Sequence, residues 1–194
     1  GNMKNYGYKG GQPWLDKGVD IVSVVIEEGV AAVGSGAFMN LTTLKSVTLP
    51  ETLTKMGEAA FYGSGLESAE IPASLWTIQP YTFKNCTSLT SVKFNEGNLQ
   101  KISDGAFYGT GLTELVLPDC LDILDSYVFK NCSALAEVTL SSGLTQIREA
   151  VLYGTAISGI QIPEGVTCIG EEVFCGCKEI TSVGIPQGVM TIRR

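Results

Sequence analysis

Apolar and polar residues follow one another along the chain in a pattern that returns after about 23 residues. A large apolar residue marks the end of each unit, and the gaps between successive markers are 23, 22, 24, 22, 23 and 22 residues. Between markers a unit reads L-x-x-V-x-L-P-x-x-L-x-x-I-x-x-x-A-F, as from Leu44 to Phe61, where Met56 takes the isoleucine position. The period indicates a stack of repeated structural units. The markers are Phe38, Phe61, Phe83, Phe107, Phe129, Leu152 and Phe174, and an eighth unit begins at Ile180.

Each unit predicts two short extended segments. In the V-x-L pattern the two apolar side chains share one face of a strand, and the following proline ends the ladder. Stacked units then form a parallel sheet. The second apolar pair, such as Leu53 and Met56, is expected to return along the opposite side as extended or single-turn structure before Ala-Phe enters the core. No window offers the roughly ten residues of clean helical period that a helix needs, so we expect few or no long helices.

Two kinds of unit alternate along the chain. Units that end in Phe-Tyr-Gly alternate with units that end in Phe-Lys-Asn-Cys. The first motif occurs at 61–63 and again at 107–109, and the second occurs at 83–86 and again at 129–132. Tandem duplication of a two-unit segment explains this longer period.

The amino-acid composition limits the kinds of partner that we expect the chain to bind. Of the 194 residues, 44% are hydrophobic, which is enough for a continuous core. Lys plus Arg total 13 against 20 Asp plus Glu, and the formal net charge of -7 predicts no nucleic-acid partner, which would need a basic stripe. No stretch approaches the roughly 20 apolar residues that cross a bilayer, so we expect no membrane span. The sequence shows no signal peptide, but signal peptides are absent from mature exported chains, so export stays open.

The sequence contains no histidine. This removes the commonest general base near neutral pH and the commonest metal ligand. Ser-His-Asp and Cys-His arrangements cannot form, nor can the usual histidine-bearing zinc sites. We therefore expect no catalytic residue, no cofactor and no enzymatic activity.

The repeat also carries family-specific features: Leu-Pro after the strand, Ala-Phe near the end, and Cys or Gly before the next leucine. A lead-in with Pro13-Trp14 and the run Val-Val-Ile-Glu-Glu-Gly-Val at 24–30 precedes the array. Over roughly residues 19–194 the chain resembles the BspA-like, Treponema-type leucine-rich repeats of bacterial surface proteins. The resemblance implies a secreted or cell-surface protein that adheres to host or extracellular-matrix molecules, without enzyme activity.

Together these features predict an α/β leucine-rich-repeat solenoid that is rich in β-structure and wound as a right-handed superhelix. A parallel sheet is expected on its concave face, with short extended or 3-10 segments on its convex side. We expect residues 1–18 to be a partial N-terminal cap or lead-in and residues 19–194 to be the array, as part of a longer protein. Its last repeat is incomplete, and the apolar edge near Ile185 to Ile192 predicts end-to-end self-association.

The outward columns of the predicted sheet are candidate partner-binding residues. The open face is expected to be small, polar and free of aromatic side chains, which suits extended or multivalent contact with a protein. Simple solvation is the alternative interpretation. The residues that we select on this face are Thr48, Glu70, Lys93, Glu114 and Glu137.

A second column follows the marker phenylalanine, and Tyr and Lys alternate along it. It either holds the repeats in register through cation–π contacts or forms an aromatic strip that stacks on sugar rings. Trp76 is an isolated candidate anchor, since other units carry a small or polar residue at its position. The rings that a surface glycan would use are Tyr62, Tyr108, Tyr153 and Trp76.

Cysteines and carboxylates give no strong site. Cys86, Cys132 and Cys177 share a column two repeats apart, roughly 10 Å, which exceeds the Cα limit for a disulfide, so we expect buried thiols. Asp119, Asp122 and Asp125 are conceivable calcium ligands, but no D-x-D-x-D-G loop accompanies them. We therefore predict no metal site.

Three functions from different classes remain open at this stage. The first is adhesion to a host or extracellular-matrix protein through the repeat face. The second is carbohydrate binding through the aromatic residues, and the third is a structural spacer within a longer surface protein.

Overall fold

Each repeat contributes one longer strand and one two-residue strand to the computed structural model, which describes residues 1–7, 10–14 and 20–193. The longer strands have three or four residues because the V-x-L alternation is short and is cut off by the turn that follows. They are β1 (Ser23–Val25), β3 (Ser46–Thr48), β5 (Ser68–Ile71), β7 (Ser91–Phe94), β9 (Glu114–Val116), β11 (Glu137–Thr139), β13 (Gly159–Gln161) and β15 (Ser182–Gly184).

The two-residue strands form the return side of the solenoid. They carry the predicted second apolar residue, which is buried in all but the last of them, where Ile192 is exposed. Parallel pairing groups them as β2–β4, β6–β8–β10 and β12–β14–β16. They are β2 (Ala32–Val33), β4 (Lys55–Met56), β6 (Thr77–Ile78), β8 (Lys101–Ile102), β10 (Ile123–Leu124), β12 (Gln146–Ile147), β14 (Cys168–Ile169) and β16 (Thr191–Ile192).

The longer strands do not form one continuous ladder. They pair in parallel as β1–β3, β5–β7, β9–β11 and β13–β15. The alternation of unit types accounts for the interruptions. From Phe61 to the next strand's leading Leu66 the chain takes five residues, whereas from Phe83 to Leu89 it takes six. A longer strand that comes after a five-residue connection pairs with the next longer strand along the chain. It does not pair with the longer strand before it, and we call this interruption a seam.

The marker phenylalanines stack along the core. Ring centroids are 5.2 Å apart between Phe38 and Phe61 and 6.0 Å apart between Phe107 and Phe129, with nearly parallel planes. Trp14 extends the stack at its N-terminal end, because its ring lies 5.5 Å from Phe38 and its Nε1–H donates to the Ala37 carbonyl. Such aromatic pairs contribute about 0.5–1.5 kcal/mol each beyond burial, so the stack stabilises the contacts between repeats.

The turns around each phenylalanine contain residues with positive φ. Asn85 has φ 60° and Asn131 has φ 62°, values that asparagine tolerates better than most residues. In the alternate units glycine occupies the position of these asparagines, and each asparagine side chain packs against the glycine of the next repeat. A Cβ added at Gly154 would lie 2.9 Å from Asn131 Oδ1, so the asparagine side chain occupies the space that glycine leaves.

The prediction of a β-rich parallel solenoid is confirmed, and the residues that the structure describes contain no α-helix. The N-terminal segment packs onto the array, since the Met3 and Tyr6 amides donate to the carbonyls of Ala32 and Ser35. The predicted boundary between lead-in and array, at residues 18 and 19, lies outside the described residues.

Candidate interaction surfaces

The outward side of the longer strands, which we call the strand face, carries the predicted columns. Ser23 lies opposite Ser46, Glu70 opposite Lys93, and Glu137 opposite Glu114, as the repeat alignment predicts. All five selected residues of this face are exposed. Their role in binding remains a prediction.

One rung of the strand face is an ion pair. Lys93 Nζ lies 2.7 Å from Glu70 Oε1. The hydrogen bond and the charge of Lys93 lower the pKa of Glu70, with a smaller contribution from a hydrogen bond to Asn95. The lysine therefore has Glu70 as its counter-ion.

A groove of about 710 Å³ lies on the strand face over β7 and β9. In most units the second apolar residue of the V-x-L pattern is followed by Pro, and the next leucine position lies four residues further on, as from Ile71 to Leu75. From Phe94 to Leu99 the chain takes five residues and Asn95 replaces the proline. The groove thus coincides with an inserted residue at a seam of the sheet. It is lined by residues 91–97 and 114–120 together with Glu137 and Thr139.

The groove lining combines apolar residues, which we call its apolar centre, with charged residues, which we call its rim. Phe94 is half-buried and Val116 is 68% exposed. Phe94 belongs to the inward side of β7, since it packs against the core as Val92 does, but it also lines the groove. The charged residues that line the groove are Lys93, Glu96, Glu114, Asp119 and Glu137.

Of the predicted cation–π contacts along the Tyr-Lys column, those between each lysine and the tyrosine of the following repeat are present. Lys84 Nζ is 4.6 Å from the ring centroid of Tyr108, and Lys130 Nζ is 4.1 Å from that of Tyr153. Each lysine also contacts a second ring that sequence reasoning did not assign to it, in Tyr81 at 4.9 Å and in Tyr127 at 5.3 Å. Exposed contacts of this kind contribute about 0.5–1 kcal/mol each.

Asparagines connect the same column through the tyrosine hydroxyls. Asn85 Nδ2 donates to the Tyr62 hydroxyl at 3.3 Å, and Asn131 Nδ2 donates to the Tyr108 hydroxyl at 2.9 Å. The Tyr127 hydroxyl donates to Glu149, and this hydrogen bond raises the pKa of Tyr127 to about 12. One face of the Tyr108 ring and one face of the Tyr153 ring, both proposed for sugar stacking, are therefore engaged in contacts between repeats.

Trp76 lies apart from both the groove and the Tyr-Lys column. It directly precedes β6 on the return side and is 55% exposed. The structure thus does not bring Trp76 together with Tyr62, Tyr108 and Tyr153 into one aromatic strip.

Asp125 is a buried carboxylate whose partners the sequence did not reveal. Its side chain is 6% exposed and lies between two cations, with Lys101 Nζ at 2.7 Å and Arg148 Nη1 at 2.9 Å. The three charged residues lie in consecutive repeats. Aligning the return segments of neighbouring repeats would therefore have predicted that they are close together. In the described ranges no group of three or more Cys, Asp or Glu side chains has the geometry to hold a metal ion.

The shared cysteine column consists of free thiols, as predicted, and Cys86, Cys132 and Cys177 are buried. Cys86 Sγ lies 3.0 Å from the Phe61 carbonyl oxygen and 3.3 Å from the Ser64 hydroxyl. Cys132 repeats this arrangement with Phe107 and Thr110. Burial raises the pKa of Cys86 to about 11 and also raises that of Cys132.

Within the part of the chain that the structure describes, no helix is long and apolar enough to span a bilayer.

Solved structures with the same architecture come from several bacteria. The leucine-rich repeat protein of T. pallidum has a TM-score of 0.69 and 21% identity, and the match covers 98% of this chain and 77% of that chain. The pneumococcal vaccine antigen PcpA has a TM-score of 0.55 and 18% identity, covering 96% of this chain, which spans 64% of the antigen's chain. A leucine-rich cell surface protein from Faecalibacterium prausnitzii A2-165 has a TM-score of 0.49 and 18% identity, covering 99% and 82%. The first two show that the fold is shared.

A search of curated proteins finds no match. A family model for the BspA type leucine-rich repeat region matches residues 16–133 and 100–194, which together include every complete repeat. The parallel strands, the stacked phenylalanines and the turn motifs lie within these matched residues. The chain therefore belongs to the BspA-type leucine-rich repeat family.

Proposed function

We propose that this chain is a non-catalytic module of a secreted or cell-surface bacterial protein and that it binds a host or extracellular-matrix protein through its strand face. The observation that carries the proposal is the groove, where the exposed Val116 lies beside the half-buried Phe94 within a charged rim. Solenoids of this kind typically act as binding scaffolds with extended surfaces. Placement outside the cell rests on the family membership.

The strand face is favoured over the turns because its side chains are available. On the turns, Lys84 and Lys130 each lie between two tyrosine rings. A sugar ring that stacked on Tyr108 or Tyr153 would have to displace a lysine from the same ring face. Exposed apolar area at the centre of a polar rim is, by contrast, the usual anatomy of a protein-binding surface.

The test is a binding panel at near-physiological salt with fibronectin, fibrinogen, collagen, laminin and mucin glycans. The panel uses the parent chain, a strand-face variant that combines Thr48→Ala, Glu70→Ala, Lys93→Ala and Glu114→Ala, and Trp76→Ala. All replaced side chains are exposed, so the variants should fold, and thermal unfolding verifies this.

The proposal predicts saturable binding to at least one protein, loss of that binding in the strand-face variant, and normal binding by Trp76→Ala. Binding to glycans alone, with loss in Trp76→Ala, would establish a carbohydrate-binding module instead. No binding across the panel would favour the spacer and refute the proposal.

A further inference from the structure

We infer that the groove over β7 and β9 takes a basic segment of the protein ligand. An apolar side chain of the ligand would lie on Phe94 and Val116, and flanking Lys or Arg side chains would reach the carboxylates of the rim. This inference rests on the proposed function and adds the chemistry of the partner to it.

The apolar centre gives the first argument. On β9 the inward residue Leu115 is 4% exposed, whereas its outward neighbour Val116 is 68% exposed. Val25 has the same column position in β1 and is 64% exposed, but it lies far from the groove lining. The combination of an exposed valine, a half-buried phenylalanine ring and a groove over both is therefore local to this point on the face.

The rim gives the second argument, because its charge is one-sided. Four acidic side chains, Glu96, Glu114, Asp119 and Glu137, line the groove against one basic side chain, Lys93, so the acidic excess is 4 − 1 = 3. Lys93 is already paired with Glu70. The unbalanced charge favours a cationic partner and disfavours an acidic one.

The register of the sheet gives the third argument. Glu114 and Glu137 lie directly opposite each other on the paired strands β9 and β11, and both are exposed. Like charges in this position repel and destabilise the pair, whereas opposite charges such as Glu70 and Lys93 stabilise it. A ligand ammonium or guanidinium group placed between the two carboxylates would relieve the repulsion on binding.

The groove dimensions limit the length of the segment. From β7 to β11 the face spans one paired step and the unpaired seam between β7 and β9, together at least about 10 Å, which accommodates roughly three residues of extended chain. We therefore expect a short motif in which one apolar residue is flanked by basic residues.

The experiment uses a synthetic peptide that alternates Arg or Lys with Val, carries a fluorophore and is titrated with the full chain by fluorescence anisotropy. A second peptide keeps the valines and replaces every basic residue with Glu. The inference predicts saturable binding of the basic peptide that weakens as salt is raised, and no binding of the acidic peptide.

Two matched pairs of variants place the binding in the groove. Glu114→Gln with Glu137→Gln is compared with Glu27→Gln plus Glu179→Gln, which makes the same change in net charge at exposed residues outside the groove lining. Val116→Thr is compared with Val25→Thr in the same column. We expect the groove charge variant to bind the basic peptide about tenfold more weakly and Val116→Thr about threefold more weakly, with both controls unchanged.

Equal weakening by the groove and control charge variants would show that net charge alone attracts the peptide, and it would overturn the inference. Absence of basic-peptide binding would also overturn it. If a protein in the panel nevertheless bound through the strand face, the proposed function would stand and this inference alone would fail.

Discussion

At the scale of single residues, polar side chains form hydrogen bonds with groups of the adjacent repeat. The buried thiol of Cys86 contacts the Phe61 carbonyl and the Ser64 hydroxyl of the preceding repeat. Cys120 and Cys175, by contrast, are exposed. Identical residue types thus have different chemical reactivity according to their position in the unit, since the thiolate is the reactive form.

Alkylation of the folded chain at about pH 8 should modify Cys120 and Cys175 and leave Cys86 and Cys132 unmodified. Burial blocks access, and the raised pKa values lower the thiolate fraction of the two buried groups. Mass spectrometry of the alkylated peptides measures the four rates, and the same reaction in guanidinium chloride is the control. Modification of Cys86 in the folded chain at the rate of Cys120 would contradict the buried column.

Asp125→Asn should lower the free energy of unfolding by about 1–2 kcal/mol, because two charged contacts are weakened and both cations are partly exposed to water. Urea unfolding measures the change. The control is Asp122→Asn, an exposed residue of the same unit, whose effect should stay within about 0.5 kcal/mol. Equal effects of the two substitutions would show that the ion pairs at Asp125 do not stabilise the fold.

At the scale of elements, the alternation of unit types has different effects on the turns and on the strands. On the turns, the residues of one type fit those of the other, as Asn131 fits beside Gly154. On the strand face, the same alternation separates the longer strands into pairs. The turns therefore connect the repeats across the seams of the strand face.

Substitutions at Asn131 separate its two roles in the turn. Asn131→Gly keeps the positive φ accessible and loses the hydrogen bond to Tyr108, whereas Asn131→Ala loses the hydrogen bond and also strains the backbone. We expect stability to decrease in the order Asn, Gly, Ala, with the alanine variant about 1–2 kcal/mol below the parent. Thermal and urea unfolding give the order, and an alanine variant at least as stable as the glycine variant would refute it.

The sequence alone predicted the strands, their columns and the cysteine column, because a fixed period places equivalent residues in neighbouring repeats. It predicted the Lys130–Tyr153 contact for the same reason. The groove was not predicted, since the 24-residue gap before Phe107 was treated as a variation in length rather than as an opening at Phe94. The partners of Asp125 were missed because the return segments were compared within one unit and not across neighbouring units.

At the scale of the whole molecule, the two ends of the solenoid differ. At the N-terminal end, Trp14 covers Phe38. At the other end, β16 is an edge strand in the described chain, and Ile185, Met190 and Ile192 are 48%, 84% and 59% exposed. An exposed edge strand with apolar residues is a template for further pairing.

The chain studied alone should therefore self-associate end to end in a concentration-dependent way. Ile192→Lys should shift the population towards monomer, because a charge at the edge opposes apolar contact and strand pairing. Ile123→Lys makes the same substitution at a residue of β10 that is 37% exposed and far from both ends, and it should leave the association unchanged. Sedimentation velocity measures both, and a monomer at all concentrations would contradict the prediction.

Two exposed thiols test, in a single experiment, whether the strand face is the binding surface. Cys120 lines the groove, whereas Cys175 follows Phe174 on a turn and lies outside the groove lining. The measurement is the alkylation rate of each thiol with and without a saturating protein ligand from the panel. Binding through the strand face predicts severalfold slower alkylation of Cys120 with no change at Cys175. Protection of Cys175 with an unchanged rate at Cys120 would contradict it and place binding on the turns.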